Sequence, residues 1–229
     1  MLSSKKLTTP ANSTWAIFAT SSDTHLLDTV AASHSAQLTH YKIRELIAVK
    51  GPAPKGIEPG AALIRIENTG APVVLDPKPA GNTAPMLIFR GVTQHLHYTD
   101  TKVRDELLAS SRTAVDGSMD TVAVIIPIRK SAAWWALSQD QRQSFFHKSK
   151  EKAGHIGIGT PYASRIFRKL YHARYSGAPV PYDFVTYFEF PVNEVESFRA
   201  LLQELRDLNK NPEWESVELE FEIWLTKLP

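Results

Sequence analysis

The segment VELEFEIWL, residues 217–225, constrains the fold more than any other stretch of the chain. Its apolar and charged residues alternate, and successive side chains of a β-strand point to opposite faces of the sheet. Five apolar side chains therefore share one face, and the glutamates lie mostly on the other. The inward set is Val217, Leu219, Phe221, Ile223 and Leu225. This pattern predicts a strand of an antiparallel sheet that buries one of its faces.

The preceding residues of the second half predict two more strands with a helix between them. The continuous apolar run at 121–128 is short enough to be a buried strand, and the β-branched and aromatic residues of 184–190 predict another. Ser138 and Gln141 have the spacing of a capping box, which predicts the start of a helix that extends through residue 146. A glycine-rich break, GHIGIGTP, follows this helix.

A second capping box and an apolar stripe predict one further helix before the last strand. Asn193 and Glu196 supply the box, and the stripe continues to about residue 210. Its members are Val195, Phe198, Leu201, Leu202, Leu205 and Leu208. The predicted order in this half is therefore strand, helix, strand, helix, strand.

The first half gives weaker signals. Residues 14–20 and 62–69 have strand patterns, 85–99 predicts a long strand, and 99–111 predicts a helix. Clusters of proline and glycine break the remainder of 21–85 into short pieces, so we expect that region to be irregular and rich in loops.

Strand followed by helix thus occurs in comparable form in both halves of the chain. We predict an α+β fold of two packed halves, each an antiparallel sheet covered by helices on one side. The predicted boundaries are a flexible leader at 1–13, an N-terminal half at 14–117 and a C-terminal half at 118–229.

Composition excludes several classes of function. The 229 residues include no cysteine, which excludes disulfides, thiolate metal sites and cysteine nucleophiles. A formal charge of +2 is too small to indicate a nucleic-acid partner. No run approaches the roughly 20 apolar residues of a membrane span, and the N-terminus has no apolar stretch typical of a secretory signal. We expect a cytoplasmic protein without a membrane or nucleic-acid partner.

The stretch 155–190 contains the residues most able to support chemistry, beginning with His155. A lone histidine is more often structural than functional. His155, however, lies among Gly154, Gly157 and Gly159, and such small residues would allow a flat, bulky group to approach the backbone. Neutral imidazole is also a standard axial ligand of haem iron. His147 is the alternative candidate.

The upstream segment PIRKSAAWWAL, residues 127–137, supplies Lys130, Trp134 and Trp135. Paired tryptophans could simply form an edge of the core, because they pack readily against apolar groups. The segment thus combines a cation with two large apolar rings.

Together these two stretches resemble the chlorite dismutase family of haem proteins. In that family the residue of the distal pocket follows the proximal histidine by thirteen residues and a further histidine follows it by seventeen, and His155, Arg168 and His172 match both spacings. The resemblance implies two ferredoxin-like halves whose sheets form a barrel-like core with helices outside, the dimeric α+β barrel type. It extends from about residue 87 to the C-terminus and is most specific over 127–190.

The resemblance also implies roles for individual residues. His155 would be the axial ligand of haem b, and Arg168 would be the catalytic residue that holds hypochlorite in the pocket. Lys130 would form a salt link to a haem propionate, while Trp134 and Trp135 would line the haem. The family also places a carboxylate behind the ligand histidine. Glu213 is the candidate for it, with Glu215 and Glu218 as competitors.

The implied activity is conversion of chlorite to chloride and dioxygen, through a ferryl intermediate and transient hypochlorite. Arginine at position 168 is typical of members with this activity, whereas coproheme decarboxylases of the same fold carry glutamine. That decarboxylase activity and a haem carrier or sensor are the alternatives. The segment RGVTQHLHY resembles a strand of the short-chain branch, but His95 and His97 depart from its pattern. We expect a homo-oligomer, with a dimer favoured over a pentamer.

Overall fold

The computed structural model describes residues 13–32, 37–73, 75, 86–93, 120–147, 149, 152–174, 176 and 180–228. Within these ranges eight strands form one closed sheet. The strands are β1 (Thr14–Ser21), β2 (Gln37–Lys50), β3 (Ala62–Thr69), β4 (Met86–Val92), β5 (Thr121–Lys130), β6 (Phe167–His172), β7 (Phe184–Pro191) and β8 (Val217–Lys227). The α-helices are α1 (Thr24–Ala32), α2 (Ala132–Ala136), α3 (Gln139–Phe146), α4 (Gly154–Gly159) and α5 (Val195–Arg206).

The strand order shows that the two halves have the same topology. Around the barrel it is β4–β1–β3–β2 for the N-terminal strands and then β8–β5–β7–β6 for the C-terminal strands. Each half therefore has the order fourth, first, third, second, and neighbouring strands pair antiparallel. The halves join where β2 pairs with β8 and where β4 meets β6. The predicted fold of two ferredoxin-like halves around a barrel-like core is confirmed.

Apolar side chains fill the barrel and also cover its outer surface under the helices. The inward residues predicted for β8 are all buried, and four of them belong to the cluster inside the barrel. A second cluster lies outside the C-terminal sheet beneath α5, and a third lies outside the N-terminal sheet beneath α1. None of the described helices has the length and apolar character needed to cross a bilayer.

Several predicted elements match the structure closely. The strands predicted at 14–20, 62–69, 121–128, 184–190 and 217–225 correspond to β1, β3, β5, β7 and β8. Helix α3 begins after Ser138, whose backbone N–H donates to Gln141 Oε1 at 2.9 Å, as the predicted capping box requires. Of the predicted strand at 85–99, residues 86–92 form β4, while residues 85 and 94–99, like the predicted helix at 99–111, lie outside the described residues.

The expectation of an irregular region at 21–85 is wrong in part, because α1 and the 14-residue strand β2 lie there. Two shifts of register against β8, between Ile43 and Glu45 and between Ala48 and Lys50, interrupt the alternation of β2. A bulge places an extra residue in one strand, so the two-residue period that reveals a strand in sequence is lost.

Three local expectations in the second half are also wrong, and one strand, β6, was not predicted at all. The glycine-rich break contains the short helix α4. A 3₁₀ turn at Val192–Glu194 precedes α5, so Glu194 occupies the N-cap and the capping box predicted from Asn193 does not form. Helix α5 ends at Arg206, about four residues before the predicted end.

The outward glutamates of β8 are not all exposed to solvent. Glu220 and Glu222 are buried, and both form ion pairs with Arg206 on α5. These two carboxylates can be buried beneath α5 because Arg206, on that helix, supplies the cation with which they pair.

Candidate functional site

Strand β6 presents different side chains to the two faces of the sheet. Lys169 and Tyr171 point into the barrel, where Tyr171 is fully buried. Arg168 and His172 are on the opposite, outer face, because side chains alternate along a strand. Arg168 is paired with Phe188, and Phe188 belongs to the cluster outside the C-terminal sheet. The candidate site therefore lies on the outer face of that sheet, on the side of the helices.

Three residues from distant parts of the chain form a connected polar group at this site. Nδ1 of His155 lies 3.0 Å from one carboxylate oxygen of Glu213, and Nζ of Lys130 lies 2.7 Å from the other. The side chains of Lys130 and Glu213 are 6% and 8% exposed, whereas that of His155 is 28% exposed. The imidazole is thus the accessible end of an otherwise buried polar group.

Backbone contacts bring the three segments together. His155 is the second residue of α4, and Glu213 lies in a 3₁₀ helix, Pro212–Ser216. The end of β5 is attached to that 3₁₀ helix, because the N–H of Ser131 donates to the carbonyl of Ser216 at 2.8 Å. The same hydrogen bond positions Lys130, the residue before Ser131. Its Nζ also lies 3.3 Å from the carbonyl oxygen of Glu213.

The electrostatics of the group keep Glu213 ionised. Burial alone would raise the pKa of Glu213, but the hydrogen bond and charge of His155, together with the charge of Lys130, lower it to about 2. An ionised carboxylate only accepts hydrogen bonds, so Nδ1 of His155 must be the donor. In the neutral imidazole this fixes the tautomer: Nδ1 carries the proton, and Nε2 keeps a lone pair that can bind a metal ion.

Aromatic rings surround both the polar group and the accessible imidazole. Lys130 Nζ lies 4.6 Å from the centroid of the Trp134 ring. Trp134 in turn packs against Phe146 at 6.1 Å between centroids, and Phe146 meets the His155 ring edge-on at 6.0 Å. Trp134 is buried, and its ring supports the polar group by packing over the Lys130 ammonium.

Trp135 belongs to a second aromatic row, which continues onto the sheet. It stacks on Phe184 at 5.9 Å, and Phe184 meets His172 edge-on at 5.0 Å. Its indole N–H donates to Asp183 at 3.2 Å. Trp135, Phe184 and His172 are each only partly buried, so this row forms an apolar surface that remains accessible.

Arg168 lies in an unusual environment. Its side chain is exposed, yet burial among protein atoms lowers its pKa, an effect that the nearby Glu213 carboxylate partly offsets. Both observations are typical of a side chain that lines a recess, and the electrostatic interaction with Glu213 places Arg168 near the His155 group. Among the described residues the Arg168 guanidinium has no hydrogen bond or ion pair within the chain.

His172 contributes no second positive charge to this face at neutral pH. Burial, and then the charge of Arg168, lower its pKa to about 4. The outer face of β6 therefore carries one permanent cation, Arg168, beside a neutral imidazole.

The structure distinguishes among the candidates that the sequence left open. Glu213 is the carboxylate at His155, whereas Glu215 is exposed and Glu218 pairs with Arg129 at 3.4 Å. His147, the alternative histidine, is exposed at the end of α3. His95 and His97 lie outside the described residues.

Two lysines of this region pair with buried glutamates. Lys130, expected to meet a haem propionate, has its Nζ at two oxygens of Glu213. Lys169, the neighbour of Arg168, reaches into the barrel and pairs with Glu67 at 2.9 Å.

Sequence reasoning missed Asp183 as a member of the site. One of its carboxylate oxygens accepts both the backbone N–H of Lys130, at 2.8 Å, and the indole N–H of Trp135. It thereby joins the segment 127–137 to the start of β7. An aspartate just before a strand is a common turn residue, so nothing in the sequence marked this one.

Comparison with known proteins gives consistent results. The chain is 32% identical over 122 residues to a chlorite dismutase of Ideonella dechloratans, a match that covers 53% of this chain and 39% of that relative. No family model matches the chain. The aligned part thus spans less than half the length of this curated relative.

Solved structures match over nearly the whole chain. A dimeric chlorite dismutase from Nitrobacter winogradskyi has a TM-score of 0.65 at 27% identity, covering 92% of this chain and 99% of that one. The chlorite dismutase of Candidatus Nitrospira defluvii in complex with imidazole has a TM-score of 0.64 at 19% identity, covering 94% and 91%. The family resemblance predicted from the sequence is confirmed.

Proposed function

We propose that this chain, whose sequence and fold resemble those of chlorite dismutases, binds haem b at His155 and converts chlorite into chloride and dioxygen. One observation supports the proposal above all others. An accessible imidazole, held by the Glu213 carboxylate, lies near the Arg168 guanidinium, which forms no hydrogen bond or ion pair among the described residues.

The residues present fit a haem group. Glu213 fixes His155 with Nε2 available, which is the donor that an axial ligand needs. The partly buried row of Trp135, Phe184 and His172 offers the apolar surface that a porphyrin face requires. When bound, haem supplies the iron at which the Cl–O bond of chlorite is broken and the O–O bond of dioxygen is made.

The residues that contact His155 on its Nδ1 side determine how basic a ligand it is. A histidine that donates its second N–H to a carboxylate becomes a more basic ligand, which favours oxidised iron. We propose that Lys130 serves this carboxylate instead of a propionate, because its ammonium keeps Glu213 ionised and fixed in place. Trp134 packs over that ammonium and helps to exclude water from the pair.

Arg168 retains the anions of the reaction. Chlorite and hypochlorite both carry a negative charge, so a cation that stays charged when it is partly desolvated holds them in the recess. Guanidinium has this property because its pKa lies far above neutrality. The Arg168 guanidinium forms no hydrogen bond or ion pair among the described residues, so its N–H donors are available to such an anion.

Oxygen evolution by haem-loaded protein tests the proposal directly. Chlorite is added in a Clark-type cell while the Soret band is followed in parallel. Rapid release of dioxygen with a lasting Soret band is the expected result, and a His155→Ala variant should bind haem weakly and release little oxygen. Haem binding without oxygen release would contradict the proposed activity and would favour a carrier, a sensor or a coproheme decarboxylase.

We also propose that the chain forms a homodimer. The support is that the Nitrobacter winogradskyi protein, described as dimeric, is matched over 99% of its length. Light scattering should then give about twice the 25.6 kDa of one chain, and a pentamer would contradict the proposal. The cytoplasmic location stays a prediction.

A further inference from the structure

We infer that Gly154 is a positioning residue, which sets the distance between His155 and Glu213 by allowing α4 to begin directly against the end of α3. The inference rests on the proposed function in one respect, namely that His155 is the ligand of haem. The geometry on which it depends belongs to the protein chain itself.

The first observation is that position 154 has no room for a side chain. A Cβ placed there would lie 2.5 Å from the carbonyl oxygen of His147 and 2.9 Å from that of Phe146. These are backbone atoms, so they cannot turn aside as the end of a flexible side chain could. Gly154 also has φ of +68°, a left-handed conformation that costs other residues about 1–2 kcal/mol.

The second observation is that Gly154 is held from the other side by the turn that leads to Glu213. Its N–H donates to the carbonyl of Lys210 at 3.3 Å. That turn is well fixed, because the buried Asn211 donates its backbone N–H to Asp207 at 2.7 Å and its side-chain amide to Leu205 at 2.8 Å. The 3₁₀ helix that carries Glu213 then starts immediately.

These contacts form a clamp, defined by Gly154, the His147 carbonyl and the turn 207–211. His155 is one residue from one side of the clamp, and Glu213 is two residues beyond Asn211 on the other. The 3.0 Å contact between Nδ1 and Oε2 therefore depends on where the two backbones are held. Moving the start of α4 outward by the width of a methyl group would separate the imidazole from the carboxylate.

A matched control exists within the same helix. Gly159 ends α4, has no positive φ, and a Cβ placed there would meet nothing within 4 Å. Gly154→Ala and Gly159→Ala therefore add the same methyl group to the same helix. Only the first change disturbs the clamp.

The test uses the apo-protein labelled with ¹⁵N-histidine. The Nδ1–H signal of His155, identified by its loss in His155→Gln, should be protected from solvent exchange in the wild type and in Gly159→Ala. In Gly154→Ala its exchange should be faster by about tenfold or more, as expected when a hydrogen bond to a charged acceptor is lost. Circular dichroism verifies that each variant is folded.

A second variant guards against failure of Gly154→Ala to fold. Asn211→Ala removes the amide that holds the turn without touching α4, and it should also accelerate exchange at Nδ1, though less strongly. Exchange within twofold of wild type in either folded variant would overturn the inference.

Resonance Raman spectroscopy of the haem-loaded ferrous protein gives an independent measurement. The Fe–His stretching frequency should fall in Gly154→Ala, because a weaker hydrogen bond makes a less basic ligand. If haem fails to bind even the wild type, the proposed function fails, while the exchange experiment still decides whether Gly154 positions His155.

Discussion

Replacing Lys130 by methionine should destabilise the protein strongly, although the two side chains are similar in size. The Nζ of Lys130 lies 2.7 Å from Glu213, and the two side chains are 6% and 8% exposed. Removing one partner of a buried pair costs about 3–5 kcal/mol when the other charge is left alone. Glu213 keeps its contact with His155, so we expect a loss of about 3 kcal/mol, at the lower end of that range. For a chain of this size, that loss corresponds to a fall in Tm of roughly 6–12 °C.

The assay is urea unfolding of the apo-protein, and it includes Glu213→Leu and the double variant. Loss of the acceptor for His155 occurs in both variants that lack Glu213, so it cancels from the cycle. The double variant should be less destabilised than the sum of the single variants by about 0.5–3 kcal/mol, because neither buried charge then remains alone.

Arg129→Met on the same strand is the matched control. Arg129 pairs with Glu218 at 3.4 Å, but these side chains are 46% and 48% exposed. An exposed pair contributes less than about 1 kcal/mol. If Lys130→Met cost no more than Arg129→Met, the buried pair would not exist as described.

Three further predictions follow from the outer face of β6 and its neighbour β4. The pKa of His172 is lowered from 6.5 to about 4, so the folded state resists protonation of this imidazole. The corresponding part of the free energy of unfolding, up to about 3 kcal/mol, is present above pH 6.5 and is lost as the pH falls to 4. Urea unfolding of His172→Gln across this range should show a weaker dependence on pH, and an unchanged slope would contradict the shift. Arg168→Gln should weaken azide binding to haem-loaded protein about tenfold or more while imidazole binding changes little; Arg165→Gln is the control, and equal effects on both ligands would refute the anion role. Gly91→Ala should lower Tm measurably, because its Cβ would lie 2.7 Å from Cβ of Tyr171, and an unchanged Tm would show that β4 and β6 are not packed so closely.

The sequence predicts those elements in which one period continues without interruption. β8 alternates because its inner face is apolar and its outer face carries glutamates, whereas β5 is apolar on both faces. β2 could not be predicted, since its two register shifts break the alternation. β6 was not predicted because Arg168 lies on its outer face and Lys169 on its inner face. Charged residues on both faces remove the alternation of apolar and polar residues that reveals a strand.

The candidate site was predictable only where its residues lie close together in the sequence. His155 and Arg168 fall within one stretch that a family pattern can match. Lys130 and Glu213 are separated by 83 residues and meet because β5, α4 and the 3₁₀ helix at Pro212–Ser216 converge. No local pattern encodes such a contact, so the choice among Glu213, Glu215 and Glu218 needed the structure.

The way in which the two halves close on each other also protects the protein from aggregation. β2 of the N-terminal half pairs with β8 of the C-terminal half over most of its length, and β4 meets β6 at the pair Val92 and His172. At the first of these seams each half covers a strand edge that the other would otherwise present to solvent. Unpaired edges are templates for pairing between chains. A break between the halves would expose such edges on both fragments, so the duplicated architecture requires that its halves stay together.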